Sequence, residues 1–150
     1  MKQAYISTHL ADAQSAGDRF HLTPIILLAQ AALESGWGTS RLAREANNHF
    51  GITGYGASNA FWHGGRVTAR YKRGELLFRR NSYLDFARLL VCSYPQAAAM
   101  SRFPADYAKA IAYSPYISEL NGDNRERYRE TLVQLCREIE PIYSSLKNNN

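Results

Sequence analysis

Thr23-Pro-Ile-Ile-Leu-Leu-Ala-Gln-Ala-Ala-Leu-Glu-Ser-Gly-Trp-Gly38 reads as one helix with both ends marked. Thr23 can cap the N-terminus with its hydroxyl, and Pro24 suits the first helical position, where no amide donor is needed. Gly36 can take the left-handed conformation that stops a helix. Between them Ile25, Ile26, Leu27, Leu28, Ala29, Ala31, Ala32 and Leu33 are apolar on every side, the pattern of a buried helix. The segment is too short to cross a membrane, so it is expected to be the central helix of a domain. Glu34 does not belong there on packing grounds. Burial disfavours its charged form, the helix C-terminus repels a carboxylate, and Trp37 can keep water off one side. All three effects raise the pKa, as a general acid near neutral pH requires. Gln30, one turn earlier on the same face, can orient it. The plain alternative is a Glu that reaches water at a frayed helix end.

Working outward, 150 residues fit one domain, 1–150, with a real core. The net charge of +5 suits a polyanionic partner: nucleic acid, an anionic membrane, or a wall with free carboxylates. Cys92 and Cys136 fall in apolar helical segments and are expected to be buried thiols. His9, His21, His49 and His63 match no metal-ligand spacing, so no metal site is expected.

The pattern predicts a first helix over Tyr5–Ala16, ended by Gly17-Asp18, and a short helix Arg41–Ala46 capped by Thr39 or Ser40 and stopped by Asn47-Asn48. The stretch His49–Asn59 reads as a loop. Val67, Ala69 and Tyr71, then Leu76 and Phe78, alternate with polar residues around Lys72-Arg73-Gly74-Glu75, a β-hairpin signal. This hairpin carries Arg66, Arg70, Lys72, Arg73, Arg79 and Arg80. It can face a nucleic-acid backbone, grip wall carboxylates, or merely blunt a sheet edge. Ser82 and Asp85 form a variant capping box for a helix reaching Tyr94. Pro104 opens another helix, and Asn121–Asn124 is a turn before the last one. That last helix shows a stripe of Tyr128, Leu132, Leu135, Ile139 and Leu146, which Pro141 is expected to kink or end.

The segment Ala29-Gln30-Ala31-Ala32-Leu33-Glu34-Ser35-Gly-Trp-Gly, followed by Asn47-Asn48-His49-Phe50-Gly51-Ile52, resembles the signature of the bacterial glucosaminidases of glycoside hydrolase family 73. That family includes wall autolysins and a flagellar hydrolase domain, and the resemblance runs from about Leu22 to about Leu135. It implies a mostly helical, lysozyme-like α+β fold with a small β-hairpin lobe and no cofactor. It also implies hydrolysis of the β-1,4 glycan of peptidoglycan, most simply after N-acetylglucosamine, with Glu34 as the acid. A muramidase, a lytic transglycosylase, or a wall-binding module with weak catalysis are the alternatives.

Glycoside hydrolysis usually needs a second carboxylate. The family resemblance places that Glu on the hairpin just before a Tyr. Here the Tyr corresponds to Tyr71 and the preceding residue is Arg70, so the carboxylate is missing from its expected position. Glu75, past the hairpin turn, is the nearest substitute; Asp85 and Glu119 are weaker ones. The resemblance also implies a tyrosine facing the acid. Tyr113 matches best and Tyr116 is close behind, while Tyr128 reads as core packing. Gln30, Trp37, Asn48, Phe50, Gly51, Trp62, Tyr71 and Tyr116 are the expected substrate contacts. Trp62 is the preferred sugar-stacking ring because it sits in a loop. For Asn47, Asn48 and Gly51 a turn-shaping role is equally open.

Met1–His21 carries no secretory signal pattern. The expectation is therefore action in the periplasm or wall after export by a specialised secretion system or phage-type release. An antibacterial effector would need an inhibitor protein that plugs the groove. The protein is expected to be a monomer with no nucleic-acid or membrane partner.

Overall fold

The computed structural model describes residues 1–52, 58–71, 74–79, 83–117 and 122–149; at 67, 69–71, 74–79 and 123 it describes the backbone only. It is mostly helical. In chain order come α1 (Lys2–Phe20), α2 (Pro24–Ser35), α3 (Arg41–Ala46), β1 (Arg66–Tyr71), β2 (Gly74–Arg79), α4 (Tyr83–Ser93), α5 (Pro95–Ala99), α6 (Pro104–Ala112) and α7 (Gly122–Asn148).

The central helix is α2. Ile26, Leu27, Leu28, Ala29 and Ala31 are fully buried, and α2 packs on α1 to one side and α7 to the other. Each large aliphatic side chain buried there stabilises the fold by about 1.5–3 kcal/mol. Pro24 occupies the first turn and Gly36 (φ 56°) closes the helix, its N–H donating to the Ala32 carbonyl. Thr23 does not cap with its side chain: its hydroxyl donates to the Ser101 carbonyl at 2.9 Å instead, which ties α2 to the turn after α5.

Two helix ends differ from expectation. Helix α1 continues through Gly17 to Phe20 and is closed by His21 (φ 58°). Gly17 is there for closeness: a Cβ on it would lie 2.5 Å from the Leu22 carbonyl oxygen, the point where the chain folds back. Helix α7 runs through Pro141 to Asn148. Pro141 itself is exposed, whereas Ile139 and Tyr143 on either side are buried, so packing outweighs the lost backbone hydrogen bond. The thiols also differ: Cys136 is buried, but Cys92 is exposed.

Strands β1 and β2 pair antiparallel, with Arg66 opposite Arg79, Arg70 opposite Glu75 and Tyr71 opposite Gly74. Helix α3 touches β1. The expected turn residues Lys72 and Arg73, the capping Ser82, and Glu119 and Asn121 lie outside the described residues.

Candidate active site

Glu34 sits in the last turn of α2, next to the residues that end it. The residue is exposed as a whole, yet its carboxyl is crowded by protein on most sides. The crowding raises its pKa above the ordinary carboxylate value, and a hydrogen bond from Tyr128 opposes part of that rise.

Three further side chains are joined to it in sequence. The Tyr128 hydroxyl, from the first half of α7, donates to Glu34 Oε1 at 2.7 Å. Gln30 Nε2 donates to the Tyr128 hydroxyl at 3.2 Å. Behind them the Tyr107 hydroxyl, from α6, donates to Gln30 Oε1. Gln30 and Tyr107 are fully buried, so each needs these partners: an unpaired buried amide or phenol costs about 1–3 kcal/mol. The spacing of the elements explains the meeting. Gln30 and Glu34 are one turn apart on α2, and α7 packs against both α2 and α6.

Tyr116 stands beside this chain. Its ring is edge-on to Tyr94 at 5.6 Å, and its hydroxyl donates to the Phe50 carbonyl at 3.3 Å. Burial pushes its phenol well above the usual value, helped by the charge of Glu34 and the neighbouring Tyr107, and opposed by a hydrogen bond with Gln30. The segment carrying Tyr116 is clamped by Arg125. Its guanidinium donates to the carbonyls of Ala112 at 2.7 Å, Ser114 at 3.1 Å and Ile117 at 3.2 Å, satisfying the end of α6. Nothing in the sequence pattern singled out Arg125.

Several expected site residues lie elsewhere. Tyr113 is 51% exposed, and its hydroxyl donates to Glu126 at 2.7 Å. With Met100, Asp106 and Lys109 it lines a separate surface cavity of about 740 Å³. The tyrosine that bonds the acid is Tyr128, which the helical stripe had suggested was core. Its buried hydroxyl was the available signal, since such a group must find a partner.

Trp62 is 1% exposed, with its indole N–H on the Gly65 carbonyl at 2.9 Å and the Arg66 guanidinium over its ring. It is thus a packed residue and no open stacking platform. The cause is local: Asn59 pairs with Trp62 through backbone bonds, and its side chain accepts from the Phe61 and Trp62 amides. Phe50 is buried and stacked on Phe86 at 4.0 Å. Asn48 is buried too. Its Oδ1 accepts from the amides of Phe50, Gly51 and Ile52, and its Nδ2 donates to the Ile52 carbonyl at 3.0 Å. Asn48 therefore shapes the loop that carries Phe50, and through it the acceptor for Tyr116. Gly51 (φ 69°) is exposed beside them.

Trp37 is partly buried against α1, edge-on to Tyr5 at 5.7 Å with the Lys2 ammonium over its ring. Asp85 is fully buried, with the Arg88 guanidinium at 3.4 Å. The side chains of Tyr71 and Glu75 lie outside the described atoms.

A second polar cluster lies on the other side of α2. The Tyr5 hydroxyl bonds His49 Nδ1 at 2.9 Å and the Tyr83 hydroxyl at 3.2 Å, and the His9 ring stacks on Tyr83. Burial, then the nearby His9, lowers His49 to a pKa of about 4. Gly38 (φ 80°) lets this cluster close, since a Cβ there would lie 2.9 Å from the Tyr5 ring. Among the described residues no group of three or more His, Cys, Asp or Glu side chains could hold a metal.

The family model described as mannosyl-glycoprotein endo-β-N-acetylglucosaminidase matches residues 10–144. The chain belongs to this glucosaminidase family. Among curated relatives, the exo-glucosaminidase LytG of Bacillus subtilis is 45% identical over 53 residues, 35% of this chain and 19% of that protein. The chain thus spans a fifth or less of the length of the first curated relatives it matches. Among solved structures, the glycoside hydrolase domain of FlgJ from Salmonella typhimurium has a TM-score of 0.72 at 23% identity, covering 99% of this chain and 94% of that one. A chain of a type VI secretion system effector–immunity complex from Pseudomonas protegens has a TM-score of 0.63 at 25% identity, covering 91% and 92%.

Proposed function

We propose that this glucosaminidase hydrolyses the β-1,4 glycan of peptidoglycan on the reducing side of N-acetylglucosamine, with Glu34 protonating the departing oxygen. The observation that carries the reading is Glu34 itself: an exposed residue whose carboxyl is crowded enough to raise its pKa and is held at one oxygen by Tyr128. A carboxyl so placed keeps its proton at higher pH than a free one, and general-acid catalysis needs that proton. Membership of the glucosaminidase family supports the choice of bond.

The architecture fitting this role is lysozyme-like and α+β, with the hairpin as a small lobe across a groove from α2. Contact between α3, which follows Glu34 closely in the chain, and β1 supports that placement. The second carboxylate would come from Glu75. Position 75 is the register partner of position 70, and paired positions of an antiparallel ladder share a face. A Glu at 75 thus occupies the same face as the Arg at 70, the position at which the family resemblance implies a Glu. In this reading Glu75 activates water or stabilises the oxocarbenium charge. Gln30 and Tyr116 belong to the support of the acid, while Tyr71 and Gly51 remain the candidates for direct sugar contact.

Action on the cell wall follows from this substrate. The likeness to a chain of an effector–immunity complex supports two further parts of the reading. The glucosaminidase would be delivered as an antibacterial effector by a specialised secretion system, and its producer would hold an inhibitor protein that covers Glu34.

The test is a digest of purified peptidoglycan by wild type, Glu34→Gln and Glu75→Gln, with products reduced and read by mass spectrometry. Reducing-end N-acetylglucosamine, lost with Glu34→Gln and reduced about a hundredfold with Glu75→Gln, is expected. Reducing-end or anhydro N-acetylmuramic acid would replace the assigned bond. Bound sacculi with no products from wild type would make the protein a binding module.

A further inference from the structure

The Glu34 hydrogen-bond chain has a direction, and the direction is set from its buried end. A phenol has one proton to give. The Tyr107 hydroxyl gives its proton to Gln30 Oε1, which turns the Gln30 amide so that Nε2 faces Tyr128. The Tyr128 hydroxyl accepts there, at 3.2 Å, so its own proton goes to Glu34 Oε1 at 2.7 Å. A carboxyl oxygen that accepts a hydroxyl proton does not carry the acid proton itself. We propose that Tyr107 and Gln30 are positioning residues that fix the polarity of this relay and thereby assign the acidic proton of Glu34 to Oε2.

The alternative polarity is available to the same side chains. An amide turned over would offer Oε1 to Tyr128 and Nε2 to Tyr107. Tyr128 would then donate to Gln30, and Glu34 would lose its donor. Two groups favour the observed orientation: the fully buried Tyr107 phenol, which gives its proton to Oε1, and the Tyr116 hydroxyl, which gives its own proton to the Phe50 carbonyl and so accepts from the Gln30 amide. Tyr107 has no contact with solvent, so it acts through Gln30 and Tyr128 and never on the substrate. The inference rests on Glu34 being the acid, but its main test does not require turnover.

The test follows the Glu34 carboxyl carbon by NMR through a pH titration, in wild type, Tyr107→Phe, Tyr128→Phe and the double variant. Tyr107→Phe keeps the ring and removes the hydroxyl. Because the Tyr128 bond lowers the Glu34 pKa, its loss should move the midpoint to higher pH in both single variants. The double variant should add nothing beyond Tyr128→Phe, since both changes remove the same bond. A midpoint unchanged in Tyr107→Phe, or full additivity in the double variant, overturns the relay.

On glycan, kcat of Tyr107→Phe should fall about tenfold with KM unchanged, and the alkaline limb of its pH profile should move up with the NMR midpoint. A loss of melting temperature without either shift would make Tyr107 a packing residue only. Should Tyr107→Phe not fold, neutron diffraction on the wild type decides. Deuterium on Tyr107 should point to Gln30, and deuterium on Tyr128 to Glu34; the reverse order overturns the proposal. An inactive wild type would remove the hydrolase reading while leaving the titration to judge the relay.

Discussion

The two sides of α2 carry two clusters made from the same chemistry, with different outcomes. On one side Tyr107, Gln30, Tyr128 and Glu34 form a line that starts in the core and ends on the carboxyl of an exposed residue. On the other, Tyr5, His9, His49 and Tyr83 form a ring of contacts that returns on itself. The Tyr128 phenol ends its line by donating to a carboxyl and so tunes it. The Tyr5 phenol is shared between His49 and Tyr83 and so ties α1 to α4 and to the loop after α3. The lesson is that the hydroxyl's final acceptor, more than the tyrosine's place on a helix stripe, separates a support for the proposed acid from a structural contact.

This contrast can be broken by substitution. The largest effect belongs to Glu34→Gln, which should lower glycan cleavage by about 10²–10⁴-fold. The same change should raise thermal stability at neutral pH. The sign follows from the raised pKa: the folded state penalises the ionised carboxylate, so that penalty is present above the unfolded pKa and absent below it. Melting curves should therefore show Glu34→Gln more stable than wild type at pH 7, with the gap closing as pH falls past the ordinary Glu range.

Next comes Tyr128→Phe. It should cost about tenfold in kcat, the scale of one hydrogen bond to a charged group, while Tyr5→Phe lowers stability and leaves kcat in place. Equal loss of kcat from both would erase the distinction between the clusters.

The smaller effects sharpen the comparison on the closed side. His49 has its pKa lowered to about 4, so its neutral form is the one the fold accepts. Stability that is intact above the unfolded value should be lost as pH falls toward 4. The loss should be about 2 kcal/mol, reduced from the full shift because water screens part of the site. Chemical denaturation at a series of pH values measures it, and His49→Gln should flatten that slope. Last, Tyr113→Phe should leave cleavage unchanged, because its hydroxyl serves Glu126 at the surface.

What the sequence disclosed follows the range of the forces involved. The ends of α2 were legible because Pro24 and Gly36 act within one turn. Glu34 and Gln30 were legible because a carboxylate and an amide on an otherwise apolar helix each require a reason. Gly17 was misread as a stop, since its role depends on the Leu22 carbonyl that folds against it. Trp62 sits in a loop, a position that suggests an open ring, but the turn built by Asn59 leaves it buried. The pattern likewise favours Tyr113 over Tyr128. Periodicity along α7 shows which face is buried, but not that α2 sets a carboxylate against one residue of that face.

The measurement closest to the central claim compares two curves on the wild-type protein. One is the pH dependence of kcat/KM on a defined peptidoglycan glycan, and the other is the NMR titration of the Glu34 carboxyl carbon. The alkaline limb of the rate should fall at the same midpoint as Glu34, and this midpoint should lie above the ordinary glutamate value. A Glu34 that titrates at or below that value, or a limb that follows some other group, would contradict that claim.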